Sequence, residues 1–351
     1  MTPESYLAFK DFIQLLSAIS AVILNTMLII LIVTTSPKKM GTYRYLMGFF
    51  CVTSIIFAVL DIIVEPIIHS KGSAFMMVMD LRNRNISAFT AEILIDVLCG
   101  CLGVTVNGIV VHFIYRFYAL ERQGRLRYFQ WPYLLLWILF PLFGGIQWTT
   151  FCWFWYSVNP EYSDYLRPIL LDEFNIPVDQ TVYSTAIFWL PDPGSDGIHP
   201  GMRFNWKAGG GLINIVIAMG VALSLMAIYG VKSYKKIKEL GSHGESKYTR
   251  NLQMQLYKAL VAQTILPVLL LFAPFGILFL GPLFLFDCSF LAVPLTFIYA
   301  IYPAVDSLPI LLLVDDYRNA LGDFCCPPNQ VGVTIGNSRR DRMYAGYAYP
   351  S

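Results

Sequence analysis

The stretch FIQLLSAISAVILNTMLIILIVT, residues Phe12–Thr34, contains no charged side chain. A helix of about 20 apolar residues is long enough to cross the roughly 30 Å hydrocarbon core of a bilayer. Six further stretches of comparable length and apolar character follow, at about Tyr45–Val64, Ala91–Tyr115, Trp131–Phe154, Ala208–Val231, Leu260–Leu280 and Ser289–Leu313. The sequence therefore predicts an all-α fold, a bundle of seven membrane-spanning helices.

Composition and the distribution of basic residues support this interpretation and predict its orientation. The mean hydropathy of +0.57, with only 14% charged residues, is too apolar for a soluble globular protein. Alternate connections, together with the C-terminal tail, contain 18 of the 25 lysines and arginines. Because such residues are retained on the cytoplasmic side, we expect an extracellular N-terminus (1–11), a membrane domain (12–313) and a cytoplasmic tail (314–351).

The predicted extracellular connections contain two notable features. The connection at about 156–207 is long and rich in proline, acidic and aromatic residues, so we expect a partly ordered lid. The tripeptide Asn85-Ile86-Ser87 in the first of these connections is a glycosylation sequon. Its closeness to the bilayer leaves two alternatives open for Asn85, a modified acceptor and a site beyond the reach of the transferase.

The cysteines fall into two groups of interest. Cys152 and Cys288 are both expected near the outer face, where they are either bridged or simply small buried hydrophobic residues. In the tail, Cys325 and Cys326 follow a stripe of apolar residues with helical spacing, and both are candidate palmitoylation sites. The stripe consists of Val314, Tyr317, Leu321 and Phe324. It predicts a short amphipathic helix along the inner membrane surface.

Catalysis and metal binding find no support in the sequence. Of the four histidines, only His112 falls in a membrane segment, and the chain has no HExxH or GxSxG motif. Intramembrane hydrolases require clustered metal ligands, or a nucleophile beside a base. We therefore predict that the protein is not an enzyme and has no cofactor, no metal site and no nucleic-acid partner.

Three aspartates lie within the predicted membrane segments. Asp61 and Asp96 are placed in the outer third of the bilayer, and Asp306 lies toward the inner third. A transporter or channel needs polar groups along its whole path, and this distribution does not supply them. It favours an outward-facing cavity above a separate inner switch region. A ligand-gated channel or a small-molecule transporter is the alternative interpretation.

Small-molecule sites are usually apolar pockets with a few convergent polar groups. We expect such a site in the outer half of the bundle, with the candidate residues Asp61, Asp96, Gln147, Trp148, Phe275 and Tyr299. Trp148 and Phe275 are equally compatible with core packing or lipid contact. The last two segments contain five prolines, Pro267, Pro274, Pro294, Pro303 and Pro309. These prolines produce either fixed kinks or a hinge.

The segment HFIYRFYAL, residues His112–Leu120, resembles the Tyr-Arg-Tyr-type signature of nematode seven-helix chemoreceptors of the Str class (serpentine receptor class r). Similar segments at Ser36–Met47, Glu161–Ile176 and Tyr302–Leu321 extend the resemblance over essentially the whole chain. It implies a G-protein-coupled receptor for odorants or other small chemicals, in the plasma membrane of the cilia of chemosensory neurons. The implied partners are that ligand, a heterotrimeric G protein and the lipid bilayer.

The resemblance also implies roles for residues of the inner switch region. Tyr115-Arg116-Phe117 stands where other receptors carry Asp-Arg-Tyr. Asp306 with Pro309 stands at the place of the Asn-Pro motif of the seventh helix. No acidic residue precedes Arg116, so a lock by an adjacent carboxylate is not expected here.

The basic residues of the inner face are candidates for coupling to the G protein. Arginine is always charged and makes several directed hydrogen bonds, so we expect Arg116 to hold the resting state and to bind the partner when the helices separate. Lys235 and Lys236, in the third inner loop, are expected to assist. The alternative is that these residues only fix the topology or bind anionic lipid.

Overall fold

A computed structural model describes residues 2–37, 40–82, 84–121, 125–192, 201–239 and 246–325 of the chain. Within these ranges, six helices are long and apolar enough to cross a bilayer, and a seventh apolar helix is shorter. The predicted bundle of seven membrane helices is thereby confirmed. The helices are α1 (Pro3–Thr35), α2 (Tyr43–Val64), α3 (Ala88–Leu120), α4 (Tyr133–Tyr156), α5 (Pro160–Phe174), α6 (Trp206–Glu239), α7 (Lys247–Pro267), α8 (Ala273–Leu280), α9 (Ser289–Val305), α10 (Leu308–Leu313) and α11 (Asp315–Cys325).

The first helix begins well before the predicted membrane segment. Proline is tolerated at the start of a helix, and the Thr2 hydroxyl accepts a hydrogen bond from the Ser5 N–H. Lys10 is buried in this extension, where its Nζ donates to Gln14 Oε1 (2.9 Å) and to the Glu65 carbonyl oxygen (3.0 Å). The described part of the N-terminal segment therefore packs against the membrane domain.

The sixth membrane helix is continuous but irregular. It consists of α7, a π-helical turn at Val268–Phe272, α8 and a 3-10 turn at Gly281–Phe284. Pro267 directly precedes the π turn, and Pro274 follows it. A π turn inserts an extra residue into the helix, and such turns are frequent at functional sites.

The seventh membrane helix differs from its prediction, which was one continuous helix over Ser289–Leu313. The structure ends α9 at Val305 and begins α10 only at Leu308. Pro309 has no N–H to donate to the Val305 carbonyl, so the helical hydrogen-bond ladder is interrupted here. The Ser307 hydroxyl instead donates to the Ala304 carbonyl oxygen at 3.0 Å.

The connections at one end of the bundle contain β-strands, which the all-α prediction does not include. Strands β1 (Ile67–Lys71) and β2 (Ala74–Asp80) form a hairpin between α2 and α3, and β3 (Thr181–Ile187) pairs antiparallel with β2. A smaller sheet joins β4 (Trp189–Pro191) to β5 (Met202–Phe204). Because β2 and β3 are buried on both faces, their residues do not alternate between polar and apolar, and the usual strand signal is missing.

Helix α5 covers the three-stranded sheet, and we call these two layers together the cap. Tyr162, Leu166, Leu170 and Phe174 of α5 belong to one buried cluster with the sheet. The Tyr165 hydroxyl accepts a hydrogen bond from the Ser73 N–H (3.0 Å), and Lys71 pairs with Glu173 (2.6 Å). The long connection is thus ordered over this end of the bundle.

Helix α3 is the central helix of the bundle. Within its most apolar window 61% of the residues are buried, against 17–44% for the other five long helices. Its backbone lies very close to that of α4. A Cβ atom added to Gly103 would be only 2.8 Å from the Gly144 carbonyl oxygen. Small residues at a membrane helix contact let the two backbones approach each other. Together α3 and α4 form one wall of the cavity described next.

Candidate functional site

A cavity of about 320 Å³ lies directly beneath the cap, and we call it the main cavity for its place inside the bundle and not for its size. Its walls come from α3, α4, α6 and the sixth membrane helix, and strands β2 and β3 form its roof. This volume is at the lower end of the range for small-molecule sites. The lining residues are Phe75, Met77, Cys99, Leu102, Trp148, Cys152, Tyr156, Ser184, Thr185, Ala186, Leu212, Ile215, Val216, Met219, Leu223, Phe272, Phe275, Gly276, Phe279 and Leu280.

The lining is almost entirely apolar, and its few polar groups are mainly hydroxyls. Tyr156 is buried, and its hydroxyl has no hydrogen-bond partner within the described part of the chain. Thr185 Oγ1 already donates to the Phe75 carbonyl oxygen at 2.7 Å. Ser184 lies beside the Asp96 carboxyl group at the edge of the cavity. Such a lining suits an apolar molecule that offers one hydrogen-bonding group to Tyr156.

The predicted ligand residues are only partly brought together. Trp148 and Phe275 line the main cavity, and Asp96 lies just outside it. Tyr299 is fully buried behind Phe275, with the two ring centres 5.8 Å apart, and its hydroxyl donates to the Leu98 carbonyl oxygen at 3.4 Å. Gln147 is exposed on the outer surface of α4, so its side chain does not reach the cavity.

Asp61 belongs to a different polar cluster, between α1 and α2. Its carboxyl group is buried, and the positive charge of Lys10 stabilises the ionised form of that group. Lys10 also forms an ion pair with Asp11 at 2.8 Å. Asp61 is absent from the described lining of the main cavity, so the two predicted outer acids do not converge on one site.

Several residues that line the main cavity were not predicted from the sequence. Phe75 and Met77 come from β2, and Ser184 and Thr185 come from β3. The apolar run AFMMVM at 74–79 is the one available signal, since a short continuous apolar run is compatible with a buried strand. The pairing of β2 with a strand about 100 residues later cannot be read from that run.

The second candidate site surrounds Arg116, near the other end of α3. Arg116 lies 14 residues beyond the cavity residue Leu102, which is about 21 Å along a helix. Its guanidinium group is buried, and Nη1 donates to Gln253 Oε1 of α7 at 2.9 Å. The carbon Cζ lies 3.9 Å from the centre of the Tyr43 ring. Nε and Nη2 have no hydrogen-bond partner among the described residues.

The neighbours of Arg116 in the sequence contact different helices. The Tyr115 ring stacks on Tyr43 of α2, with ring centres 5.1 Å apart, and its hydroxyl donates to the Met40 carbonyl oxygen at 3.3 Å. Phe117 faces α6 instead, where its ring centre lies 5.6 Å from that of Tyr229. The three residues therefore join α3 to α2, α7 and α6.

Asp306 occupies the break between α9 and α10 and is completely surrounded by other helices. Tyr302 donates to Asp306 Oδ1 (3.2 Å) and Ser54 donates to Oδ2 (3.4 Å). Gln263 Nε2 of α7 donates to the Asp306 carbonyl oxygen at 3.0 Å. Asn25 of α1 donates to the carbonyl oxygen of Pro303 at 2.9 Å. This polar cluster connects four helices, α1, α2, α7 and α9.

The remaining predicted residues of this end are two lysines near the surface and one buried proline. Lys235 is exposed near the end of α6, and Lys236 pairs there with Glu239 at 2.8 Å. Pro309 is buried in the first turn of α10. A helix, α11, follows the seventh segment, and its buried Tyr317 hydroxyl lies 2.7 Å from Ser36 Oγ. This helix ends at Cys325, and Cys326 lies outside the described residues.

The structure describes the surroundings of the candidate glycosylation site and of the two cysteines considered for a disulfide. Asn85 is exposed just before α3, and the sequon residue Ser87 is the N-cap of that helix, accepting from the Thr90 N–H at 3.1 Å. Cys152 lines the main cavity, whereas Cys288 is buried beside Gly281 at the end of the sixth membrane helix. Both are free cysteines, so the bridged alternative is not the one found.

The family model and the relatives that match this chain are all described as receptors. The family described as "Serpentine type 7TM GPCR chemoreceptor Str" matches residues 10–322. G-protein coupled receptor str-217 of Caenorhabditis elegans is 31% identical over 92% of this chain and 91% of its own length. Serpentine receptor class r-10 of Caenorhabditis briggsae and that of Caenorhabditis elegans are each 29% identical, over 93% of this chain and 93% and 94% of their own lengths.

These matches extend from α1 to α11 and include every element that lines the two candidate sites. The family consists of chemoreceptors and not of enzymes, and its multiple membrane helices agree with those of the structure. The chain therefore belongs to the Str family of serpentine seven-transmembrane chemoreceptors.

Proposed function

We propose that this chain binds a small extracellular chemical in the main cavity and activates a heterotrimeric G protein through the end of the bundle that contains Arg116. The observation that carries the proposal is the arrangement of both sites on one central helix, α3. Cys99 and Leu102 of that helix line the cavity, and Arg116 lies near its other end. A shift of α3 against its neighbours would change both sites together.

Ligand binding is supported by the position and chemistry of the main cavity. It is apolar, has a volume of about 320 Å³ and contains the unpartnered hydroxyl of Tyr156. Pockets of this kind, with a small number of well-placed polar groups, are the usual sites of small ligands. We assign Trp148 and Phe275 to ligand contact, and we place Asp96 and Tyr299 behind the lining.

Coupling is supported by the unused hydrogen-bonding capacity of Arg116. A buried guanidinium group with two unpartnered nitrogens is costly, and such groups normally find acceptors. Backbone carbonyl groups of an inserted partner segment would supply those acceptors once α7 moves away. Tyr115, Phe117, Asp306 and Pro309 would then connect that movement to α2, α6 and the seventh membrane helix.

We also propose the finer features of location and modification. The N-terminus and the cap are extracellular, the tail is cytoplasmic, and the receptor acts in the plasma membrane of sensory cilia. Asn85 is the proposed glycan acceptor, and Cys325 with Cys326 the proposed lipid anchor. Lys235 and Lys236 lie on the side that would face the G protein.

The adjacent residues Trp148 and Gln147 provide a matched test of the ligand site. Trp148 lines the cavity, and Gln147 points away from it on the same turn of α4. A panel of uncharged small chemicals is screened in cells that express the receptor with a promiscuous G protein. For an active compound, Trp148→Ala should raise the half-maximal concentration about tenfold or more, equivalent to about 1.4 kcal/mol.

Gln147→Ala should leave the dose response unchanged at equal surface expression. If the two variants behave alike, the ligand binds elsewhere. A current that persists when G-protein signalling is blocked would favour the channel alternative instead.

A further inference from the structure

We infer that ligands enter the main cavity sideways from the bilayer, through an opening between α6 and the sixth membrane helix. The compounds selected by this route are uncharged and soluble in lipid. The inference rests on the proposed role of the main cavity as the ligand site, and it adds the route and the chemical class of the ligand.

The route from the extracellular solution is closed by the cap. Strands β2 and β3 form the roof, and α5 covers their far side. Strand β1, which pairs with β2, contacts the sixth membrane helix, because Ser70 Oγ donates to the Leu278 carbonyl oxygen at 3.2 Å. Nearby, Trp189 Nε1 donates to the Leu283 carbonyl oxygen at 2.8 Å. A ligand from solution would have to pass two packed layers.

Aromatic rings around Phe279 close the part of the cavity wall directly beneath the cap. The Phe279 ring centre lies 5.1 Å from that of Phe75, 5.6 Å from that of Tyr156 and 5.8 Å from that of Phe188. These contacts connect the sixth membrane helix to β2, to α4 and to the segment between β3 and β4. The wall of the cavity is therefore continuous on this side.

The lateral wall between α6 and the sixth membrane helix is different. Val216 and Leu223 of α6 line the cavity and yet are 58% and 38% exposed. Leu280, on the opposite side of the gap, lines the cavity and is 39% exposed. Residues that face both the cavity and the surface mark an opening, and in a membrane bundle this surface faces lipid.

Gly276 widens the same gap. It lines the cavity one helical turn before Leu280, and a Cβ atom added to it would meet no heavy atom within 4 Å. A glycine in the middle of a helix is unfavourable, so the absence of a side chain here has a structural cost. Open space beside Gly276 is what a passage into the cavity requires.

The chemistry of this opening excludes charged compounds. The three residues at its margin, Val216, Leu223 and Leu280, are aliphatic, and no charged side chain belongs to the described lining of the cavity. An ion would lose its hydration in the bilayer, and the described lining of the cavity contains no charged side chain to compensate for that loss. A neutral molecule avoids this cost, and Tyr156 can bind its single polar group.

Two native cysteines of the cavity, Cys99 and Cys152, allow the route to be tested without a known ligand. The full-length receptor in phospholipid nanodiscs is treated with methyl methanethiosulfonate, which is small and neutral, or with its permanently charged trimethylammonium-ethyl analogue. Modification of each cysteine is followed over time by peptide mass spectrometry. The neutral reagent should modify Cys99 and Cys152, whereas the charged reagent should not.

The variant Gly276→Phe places a ring in the opening, and Gly48→Phe is its matched control. Gly48 also has no heavy atom within 4 Å of an added Cβ, but it lies on α2, which contributes no residue to the described lining of the cavity. Gly276→Phe should slow modification by the neutral reagent about tenfold or more, the effect of a barrier raised by about 1.4 kcal/mol. Gly48→Phe should leave the rate unchanged.

Two results would overturn the lateral route: an unchanged rate in Gly276→Phe, or equal modification by the charged reagent in the wild type. If Gly276→Phe does not fold, Val216→Trp narrows the opening from the α6 side and is judged by the same criterion. The readout uses neither ligand nor G protein, so the proposed function stands or falls on its own test.

Discussion

Arg116 shows how one side chain can hold several helices together without an acidic partner. It is buried against Tyr43 and donates one hydrogen bond to the neutral acceptor Gln253, while two of its nitrogens have no hydrogen-bond partner among the described residues. A hydrogen bond that involves a charged group is worth about 1.5–3 kcal/mol. In the coupling role that we propose, the contact to Gln253 would be strong enough to hold a resting state and weak enough to be exchanged for a partner's carbonyl groups.

Replacement of Arg116 by glutamine should separate ligand binding from signalling. The substitution removes one of 18 predicted inner charges, which leaves the topology intact, but it removes the guanidinium donors that coupling requires. We expect ligand binding to be retained and ligand-evoked signalling to be lost at matched surface expression. Lys235→Gln, which removes an exposed charge nearby, is the control and should signal nearly normally. Full signalling by Arg116→Gln would refute the coupling role.

Gln253 was not identified from the sequence, and the structure makes a separate prediction for it. Gln253→Ala removes the acceptor of Arg116 Nη1, so basal signalling without ligand should rise. Gln253→Glu supplies a charged acceptor and should lower basal signalling below that of the wild type. Second-messenger levels in unstimulated cells measure both effects. Equal basal levels in the three proteins would show that this contact does not hold the resting state.

The sequence allowed individual site residues to be predicted only as far as helix rotation could be inferred. Trp148 and Phe275 line the cavity, but Gln147, the neighbour of Trp148, faces outward. Successive helical residues point about 100° apart, and an almost uniformly apolar membrane helix gives no polar face from which to read its rotation. Asp61 and Asp96 were expected to line one site because their depth along the helices was inferred from sequence position, whereas the direction of each side chain could not be.

At the scale of elements, the sequence predicted a partly ordered lid at about 156–207, but it did not reveal the strands of the cap. These strands come from two connections separated by about 100 residues, and Met77 of β2 lies opposite Ser184 of β3. Local periodicity cannot show such a pairing, whereas each membrane helix is evident from its own apolar length. The break in the seventh helix lies between these cases, because its prolines were recognised but the interruption at Asp306 and Ser307 was not.

The cap contains a buried histidine whose titration should make it sensitive to acid. His69 of β1 is 7% exposed, lies edge-on to Phe174 and faces the charges of Lys71, Glu173 and Asp287. Burial lowers the pKa of His69 below its usual value of 6.5. Between that value and the lowered one, the unfolded segment binds more protons than the folded cap, so stability falls as the pH falls.

We therefore expect the cap to open more often in acid. Amide hydrogen exchange of residues 67–80, corrected for intrinsic rates, should be faster at about pH 5.5 than at about pH 7.5, with little change in the centre of α3. His69→Gln, which cannot titrate, should remove most of this difference. A pH dependence that is the same in wild type and variant would assign it to other groups.

At the scale of the whole molecule, the bilayer explains why the number and order of the membrane helices could be predicted from the sequence. Every backbone polar group in the hydrocarbon core must be satisfied within the chain, so a membrane segment has to be a helix of defined length. Seven such segments and their order therefore follow from apolar length alone, and the family match over residues 10–322 agrees with them. The direction in which the bundle crosses the membrane depends instead on charges in the connections.

The orientation of the bundle is the last prediction, and it rests on the 18 basic residues of one set of connections against seven of the other. An epitope tag before Thr2 should be labelled on intact cells, and a tag after Ser351 only after permeabilisation. Asn85 is exposed and lies in the connection between α2 and α3, on the same side as the first tag. Asn85→Gln should consequently remove a glycan-sized mass, whereas Asn159→Gln, outside any sequon, should not. The reverse labelling pattern would place Arg116 outside the cell, where no G protein is present, and would refute the proposed function as a whole.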